Sequence, residues 1–263
     1  MKFKQILPAL ALVAFLGLPG WALAEAPEGA TIMKMADEAP DGENGRAKVV
    51  MILSDSSDGV REREFTIARK DDADQAGESR YFIEFAKPAD VKGMRFLIWD
   101  HAQGADDRWM FLPRLKMVRR IAAEDERGAF VGSDFVYEDI SGRDPSKDTH
   151  SYERTEKVGD RETWVVTSTP KETTGVEFAK KTSWVDTENH LVLKEEYFAA
   201  NGEKIKESVT EKVEIIQGVP TKTSWTMKNL KSGHKTNMKI GEVRYDVDDL
   251  DDNQFEERAL KRR

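Results

Sequence analysis

The stretch GAFVGSDFVYEDI, residues 128–140, sets Ser133 beside Asp134 between glycines and aromatic residues, a pairing that could serve acyl transfer. A nucleophile elbow needs G-x-S-x-G at a strand-to-helix turn. Here Val131-Gly132 precedes the serine and Asp134-Phe135 follows it, so the second glycine is missing. The base would have to be His101, His150, His190 or His234, each alone in a turn-like context. A distant histidine could still fold onto Ser133. A serine next to an aspartate also hydrogen-bonds an ordinary turn, and that is the expectation: no catalytic residue and no enzyme.

Metal chemistry has little to build on. No H-x-x-x-H or H-x-H pair exists, and the chain has no cysteine, so zinc lacks its usual ligands. The acid-dense DVDDLDDNQ, residues 246–254, invites comparison with a calcium loop. Counted from Asp246, position six is Asp251 where glycine is needed, although Glu257 suits position twelve. A capped helix start explains the same acids. Neither a G-x-x-x-x-G-K nor a G-x-G-x-x-G phosphate loop occurs. No metal and no cofactor are expected.

The elements that must carry any function are mostly strands. Residues 30–39 show a weak helical period, with Ile32, Met35, Ala36 and Ala39 on one side. PDGENG at 40–45 then breaks the chain. Short β-forming runs follow at 47–55, 60–70, 79–87, 93–100, 107–113 and 116–121. After a less regular middle at 122–148, they resume at 152–158, 162–169, 178–186, 191–199, 203–216, 219–230 and 234–247. Asn201-Gly202 between two extended runs is a hairpin signal. The chain closes on DDNQFEERALKRR, which reads as a short helix with acids first and bases last. Eleven to thirteen strands without crossover helices predict one antiparallel sheet in one domain, 25–263, and so many strands must curl. Tyr81, Ile83 and Phe85 alternate with Arg80, Phe82 and Glu84, as a wall with one wet and one dry face requires.

Residues 1–24 read as a signal peptide: Lys2 and Lys4, an apolar run from Ile6 to Leu18, and Ala22-Leu23-Ala24 as the cleavage site. Cleavage after Ala24 predicts a soluble periplasmic product with no transmembrane segment in the mature chain. It leaves 39 basic against 49 acidic side chains, a net charge of −10. Nucleic acid is excluded as a partner, because phosphate binding rests on a basic surface. So is electrostatic adhesion to an anionic leaflet. What remains is an aromatic inventory spread along the strands. A large curved sheet can enclose more volume than its side chains fill. An acyl chain entering such a space gains about 0.8 kcal/mol per methylene.

Three blocks carry a family resemblance: FAKPADVKGMRFLIWD at 85–100, DRWMFLPRLKMVRRI at 107–121 and GAFVGSDFVYEDI at 128–140. Together they resemble the outer-membrane lipoprotein-sorting protein family, a LolA-like group. The resemblance implies a mainly β fold: a strongly curved, incomplete β-barrel of about eleven strands, with short helices covering its open side. It implies a periplasmic carrier that binds a lipid or lipoprotein acyl group and passes it toward the outer membrane, in the service of an RND-type exporter. The competing expectation is a non-enzymatic interaction or sensor module of the same fold, with a filled core, that docks a membrane partner. The expected apolar lining is Phe85, Phe96, Trp109, Phe111, Phe130, Phe135, Tyr137 and Trp184, with Phe130, Phe135 and Tyr137 as a lid or rim. Asp134, Glu138 and Asp139 are expected to pair with Arg114, Arg119 and Arg120.

Overall fold

The computed structural model describes residues 26–262 apart from 58, 76, 103, 123–124 and 174–175, so the signal segment lies outside the described residues. Every extended run expected from the sequence is a strand. They are β1 Asn44–Ser54, β2 Val60–Asp71, β3 Ser79–Lys87, β4 Arg95–Asp100, β5 Asp107–Leu112, β6 Met117–Ile121 and β7 Asp148–Val158. β8 Arg161–Pro170, β9 Lys180–Asp186, β10 Val192–Phe198, β11 Lys204–Ile216, β12 Val219–Asn229 and β13 Lys235–Tyr245 complete the set. The sheet thus has thirteen strands, at the upper end of the expected range. Asn201 and Gly202 turn β10 into β11: Gly202 has φ 82°, and Asn201 Oδ1 accepts from the Glu203 amide at 3.0 Å.

The strand order is β6-β5-β4-β3-β2-β1-β13-β12-β11-β10-β9-β8-β7, antiparallel throughout. Two meanders, β1–β6 and β7–β13, are therefore joined side by side through β1 and β13. The sheet does not close, and β6 and β7 are its two free edges. Both edges carry exposed charge, Arg119 and Arg120 on one and Glu153, Arg154 and Lys157 on the other. Such charges blunt edge-to-edge association. Because β6 and β7 are consecutive in the chain yet lie at opposite edges, residues 122–147 must travel the full width of the sheet. They do so across its concave face.

The concave core gathers Val49, Met51 and Leu53 of β1, Phe65 of β2, Ile83 and Phe85 of β3, Phe96 of β4, and Met227 and Met238 from the other half. Phe130 and Phe135 of the crossing segment complete it. α1, Gly29–Asp37, covers the same side over β7, β8 and β9, burying Ile32 and Met33 against Val166 and Val185. The buried stripe is Gly29-Ile32-Met33-Ala36, so Met33 takes the place expected of Met35. A Cβ at Gly29 would lie 2.8 Å from the Ser151 backbone, which explains the glycine where the helix meets β7.

The chain end forms two short 3-10 turns, Asp252–Phe255 and Glu257–Lys261, instead of an α-helix. They lie on the convex face, where Phe255 and Leu260 cover Phe82, Leu97, Trp99, Trp109 and Phe111. Trp99 Nε1 donates to the Phe255 carbonyl at 2.9 Å, and Arg95 donates to the Leu260 carbonyl at 3.2 Å.

Candidate functional site

The concave face divides into an apolar half and a polar half. In the first, Phe65, Phe85, Phe96, Phe130 and Tyr137 form one aromatic cluster. Phe130 stands at its centre, with ring centroids 6.2, 5.8, 5.2 and 5.8 Å from Phe65, Phe85, Phe96 and Tyr137. Phe135 meets Trp225 of β12 edge to face at 6.4 Å. The five expected lining residues Phe85, Phe96, Phe130, Phe135 and Tyr137 thus meet on this face.

Trp109, Phe111 and Trp184 do not join them. Side chains alternate along a strand, so Met110, which reaches the concave core, forces Trp109 and Phe111 to the convex face beneath Phe255 and Leu260. Trp184 also lies opposite the concave Ser183 and Val185. Its indole donates to Glu156, and the Lys194 ammonium stands 4.1 Å from its ring. The alternation was legible in the sequence. Which face was concave was not, because both faces of β3–β5 are apolar and both are covered.

The crossing segment is pinned near both ends. Arg108 of β5, its side chain only 3% exposed, donates to Glu126 at 3.1 Å and to Ser141 at 3.0 Å, with Asp106 at 2.5 Å. Arg143 bonds Glu138 at 2.8 Å and both oxygens of Asp148. Between these anchors, residues 128–137 fold back on themselves: the Phe130 amide donates to the Phe135 carbonyl at 2.8 Å, and Ala129 bridges Val136. Val131 (φ 49°) and Gly132 (φ 72°) make the reversal. Side-chain contact to the sheet comes through Asp134, which bonds Thr236 of β13 through both its amide (3.0 Å) and its carboxylate (2.7 Å).

These partners replace the expected ones. Asp134 pairs with Thr236, Glu138 with Arg143, and Asp139 accepts from the Val136 amide at 2.8 Å. Arg119 and Arg120 turn instead to Asp125 and Asp107. Asp134 and Glu138 face the sheet interior, whereas the arginines of β6 sit on an edge. Ser133 is buried, its hydroxyl engaged with the Phe135 amide and carbonyl at 3.2 and 3.3 Å, the turn that the sequence suggested. His150 bonds Ser168 and the Pro145 carbonyl, and His101 faces Glu78 and Asp107.

The polar half was not foreseen. Lys181 of β9, Glu195 and Tyr197 of β10, Lys206 of β11 and Lys222 of β12 converge there. Lys181 pairs with Glu195 at 2.9 Å, Tyr197 donates to Glu195 at 3.0 Å, and Lys206 pairs with Glu177 at 3.2 Å. The ammonium groups of Lys181 and Lys206 stand 5.8 and 5.7 Å from the Tyr197 ring, and that of Lys222 stands 5.7 Å from Trp225. Burial opposes the charge of Glu195 most, yet Lys181, Lys222 and the Tyr197 hydroxyl together outweigh it and hold the carboxyl below its usual range. Burial lowers Lys222, with Glu195 offsetting part and Lys181 adding to the effect. Asp139, from the crossing segment, keeps solvent access although protein surrounds it. Burial pushes its carboxyl up to about 6, against the pull of Lys206 and Lys181. Strand register sets Lys181 and Lys206 on either side of Tyr197, which the sequence alone did not reveal.

A second acidic site lies at the junction of α1, β4 and the crossing segment. Asp37, Asp100, Asp106 and Asp144 surround a cavity of about 80 Å³. Burial, then the Asp106 carboxylate, raises Asp100 to about 7. No group of three or more ligands suited to a metal occurs among the described residues.

A family model described as an uncharacterized protein matches residues 77–262. A DUF1329 family protein from Desulfovibrio piger is 26% identical and superposes with a TM-score of 0.81, covering 88% of this chain and 97% of its own. An outer membrane lipoprotein-sorting protein domain from Vibrio parahaemolyticus is also 26% identical with a TM-score of 0.81, covering 89% and 98%. A LolA superfamily protein from Nitrosomonas europaea, 20% identical, shares the fold with a TM-score of 0.66 over 89% of this chain and all of its own. No curated protein matches.

Proposed function

From the premise that the chain belongs to the DUF1329 family and has the LolA-like open-barrel fold, we propose that it is a periplasmic carrier of lipid or lipoprotein acyl groups, described here in its closed form. The observation that carries this reading is the crossing segment. Its apolar residues occupy the concave face, while its hydrogen bonds and ion pairs cluster at its ends and at Asp134. Magnitudes favour exchange. Withdrawing the buried Phe130 and Phe135 costs about 1.5–3 kcal/mol each, and the half-buried Tyr137 less. A sixteen-carbon chain taking their place returns about 12 kcal/mol. The ligand's gain more than offsets the cost of displacing these side chains. No catalytic group is needed. Passage toward the outer membrane, and service to an RND-type exporter, are the roles that this carrier would fill.

The filled concave face favours a second reading, a non-enzymatic interaction module that docks a membrane partner. One experiment separates the two. Asp134→Cys with Thr236→Cys ties the segment to β13 in a chain that has no other cysteine. For a carrier, the oxidised protein excludes a fluorescent acyl probe and the reduced protein admits it. Equal exclusion by both forms, with native preparations free of lipid by mass spectrometry, leaves the interaction module.

A further inference from the structure

We infer that Arg63 is the polar anchor of the concave face: once the tip of the crossing segment withdraws, its guanidinium holds the anionic end, carboxylate or phosphate, of a single acyl amphiphile. The inference rests on the carrier reading and adds a ligand class to it. Arg63 lies on β2 and is only 8% exposed. Strand register sets it opposite Met51 of β1, Met51 opposite Met238 of β13, and Met238 opposite Trp225 of β12. Directly opposed residues share a face of the sheet. Arg63 therefore belongs to the concave floor with the buried Met51 and Met238.

Two other arginines enclosed to a similar degree, Arg108 and Arg143, are each held by two carboxylates. Arg63 forms no ion pair among the described residues, and its Nη1 is buried without a hydrogen-bond partner. Buried polar groups are nearly always bonded, and an uncompensated buried charge is costly. The cover over Arg63 is the reversal at the tip of the crossing segment: a Cβ on Gly132 would lie 3.8 Å from that Nη1. This cover gives Nη1 no acceptor, so its departure breaks no bond there. Two residues along the same strand, Phe65 meets Phe130 at 6.2 Å. The space that Phe130 vacates thus begins beside the guanidinium. An amphiphile seated there lays its chain over Phe65 and Met51 and brings its charge to Arg63. A guanidinium fork suits the paired oxygens of a carboxylate or phosphate. A neutral acyl ester follows the same apolar path and leaves the arginine unanswered.

Binding of a dansyl-labelled undecanoate and of its methyl ester to the purified protein tests this directly. The free acid is expected to bind about tenfold more tightly than the ester, a difference of about 1.4 kcal/mol. Arg63→Met abolishes that preference by weakening the acid. Arg63→Lys, a point charge without the fork, keeps part of it. Because Arg63→Met removes an unanswered charge, its Tm should equal or exceed that of the unaltered protein. Equal affinity for acid and ester, a preference that survives Arg63→Met, or a marked loss of Tm in that variant overturns the inference while leaving the carrier intact. Displacement of the acid by millimolar inorganic phosphate while the ester stays bound also overturns it, in favour of a free-anion site. If neither probe binds, the carrier reading falls and takes the anchor with it.

Discussion

Arg143 grips Asp148 at the root of the crossing segment: Nε lies 3.2 and 3.0 Å from the two carboxylate oxygens and Nη2 lies 2.7 Å from one of them, with the side chains only 10% and 3% exposed. The same guanidinium reaches Glu138, so one residue joins α2 (Glu138–Ser141) to the first residue of β7. Breaking a buried, forked pair strands its partner charge. Arg143→Ala is expected to cost about 3–5 kcal/mol by urea denaturation. Arg143→Lys, a point charge without the fork, should recover only part of that loss.

Phe130 fills the centre of the concave face at 1% exposure, and its replacement separates stability from ligand uptake. Phe130→Ala should destabilise the protein by about 3–5 kcal/mol. In the carrier reading it should also tighten binding of a fluorescent acyl probe, since less must be displaced. A stable Phe130→Ala protein with unchanged probe affinity would count against the segment as the ligand's competitor.

Asp100 gives the protein a pH dependence of known sign. Its carboxyl is raised to about 7, first by burial and then by Asp106, whereas an unfolded aspartate titrates near 3.8. The folded form therefore holds the extra proton between those values. This contribution stabilises the protein at low pH and is lost as pH rises toward and through 7. Asp100→Asn, which mimics the protonated group, should raise Tm at pH 8 by several degrees, raise it less at pH 5, and leave Tm at pH 3 nearly unchanged. An equal effect at all three values would refute the assignment.

The C-terminal turns act as a cover for the convex aromatic surface. Deleting residues 250–263 uncovers Trp99, Trp109 and Phe111. The shortened protein should bind anilinonaphthalene sulfonate strongly and associate in size-exclusion chromatography, as exposed apolar patches do. A truncated chain that stays monomeric and dye-free would show that the cover is dispensable.

Strand positions were legible because turn residues punctuate period-two runs, as Asn201-Gly202 does between β10 and β11. Phe130 and Phe135 were legible as packing residues because they lie in an apolar, aromatic run inside a stretch that forms no strand. Three things were not. Phe82 broke the alternation of β3 because a distant segment, residues 250–260, covers the outer face there, and such long-range cover leaves no local trace. Trp109 and Phe111 were assigned inward for the same reason. The polar cluster around Tyr197 was hidden because its members come from different strands, and a bulge at Thr223 shifts the register near Lys222.

The missing bond between β6 and β7 has a mechanical meaning. In a closed barrel the bore is set by strand number and shear, so widening it tears a hydrogen-bonded ladder. Here β6 and β7 are not bonded to each other, and the wall stays open between them. An open wall of this kind can change its curvature with every inter-strand rung intact.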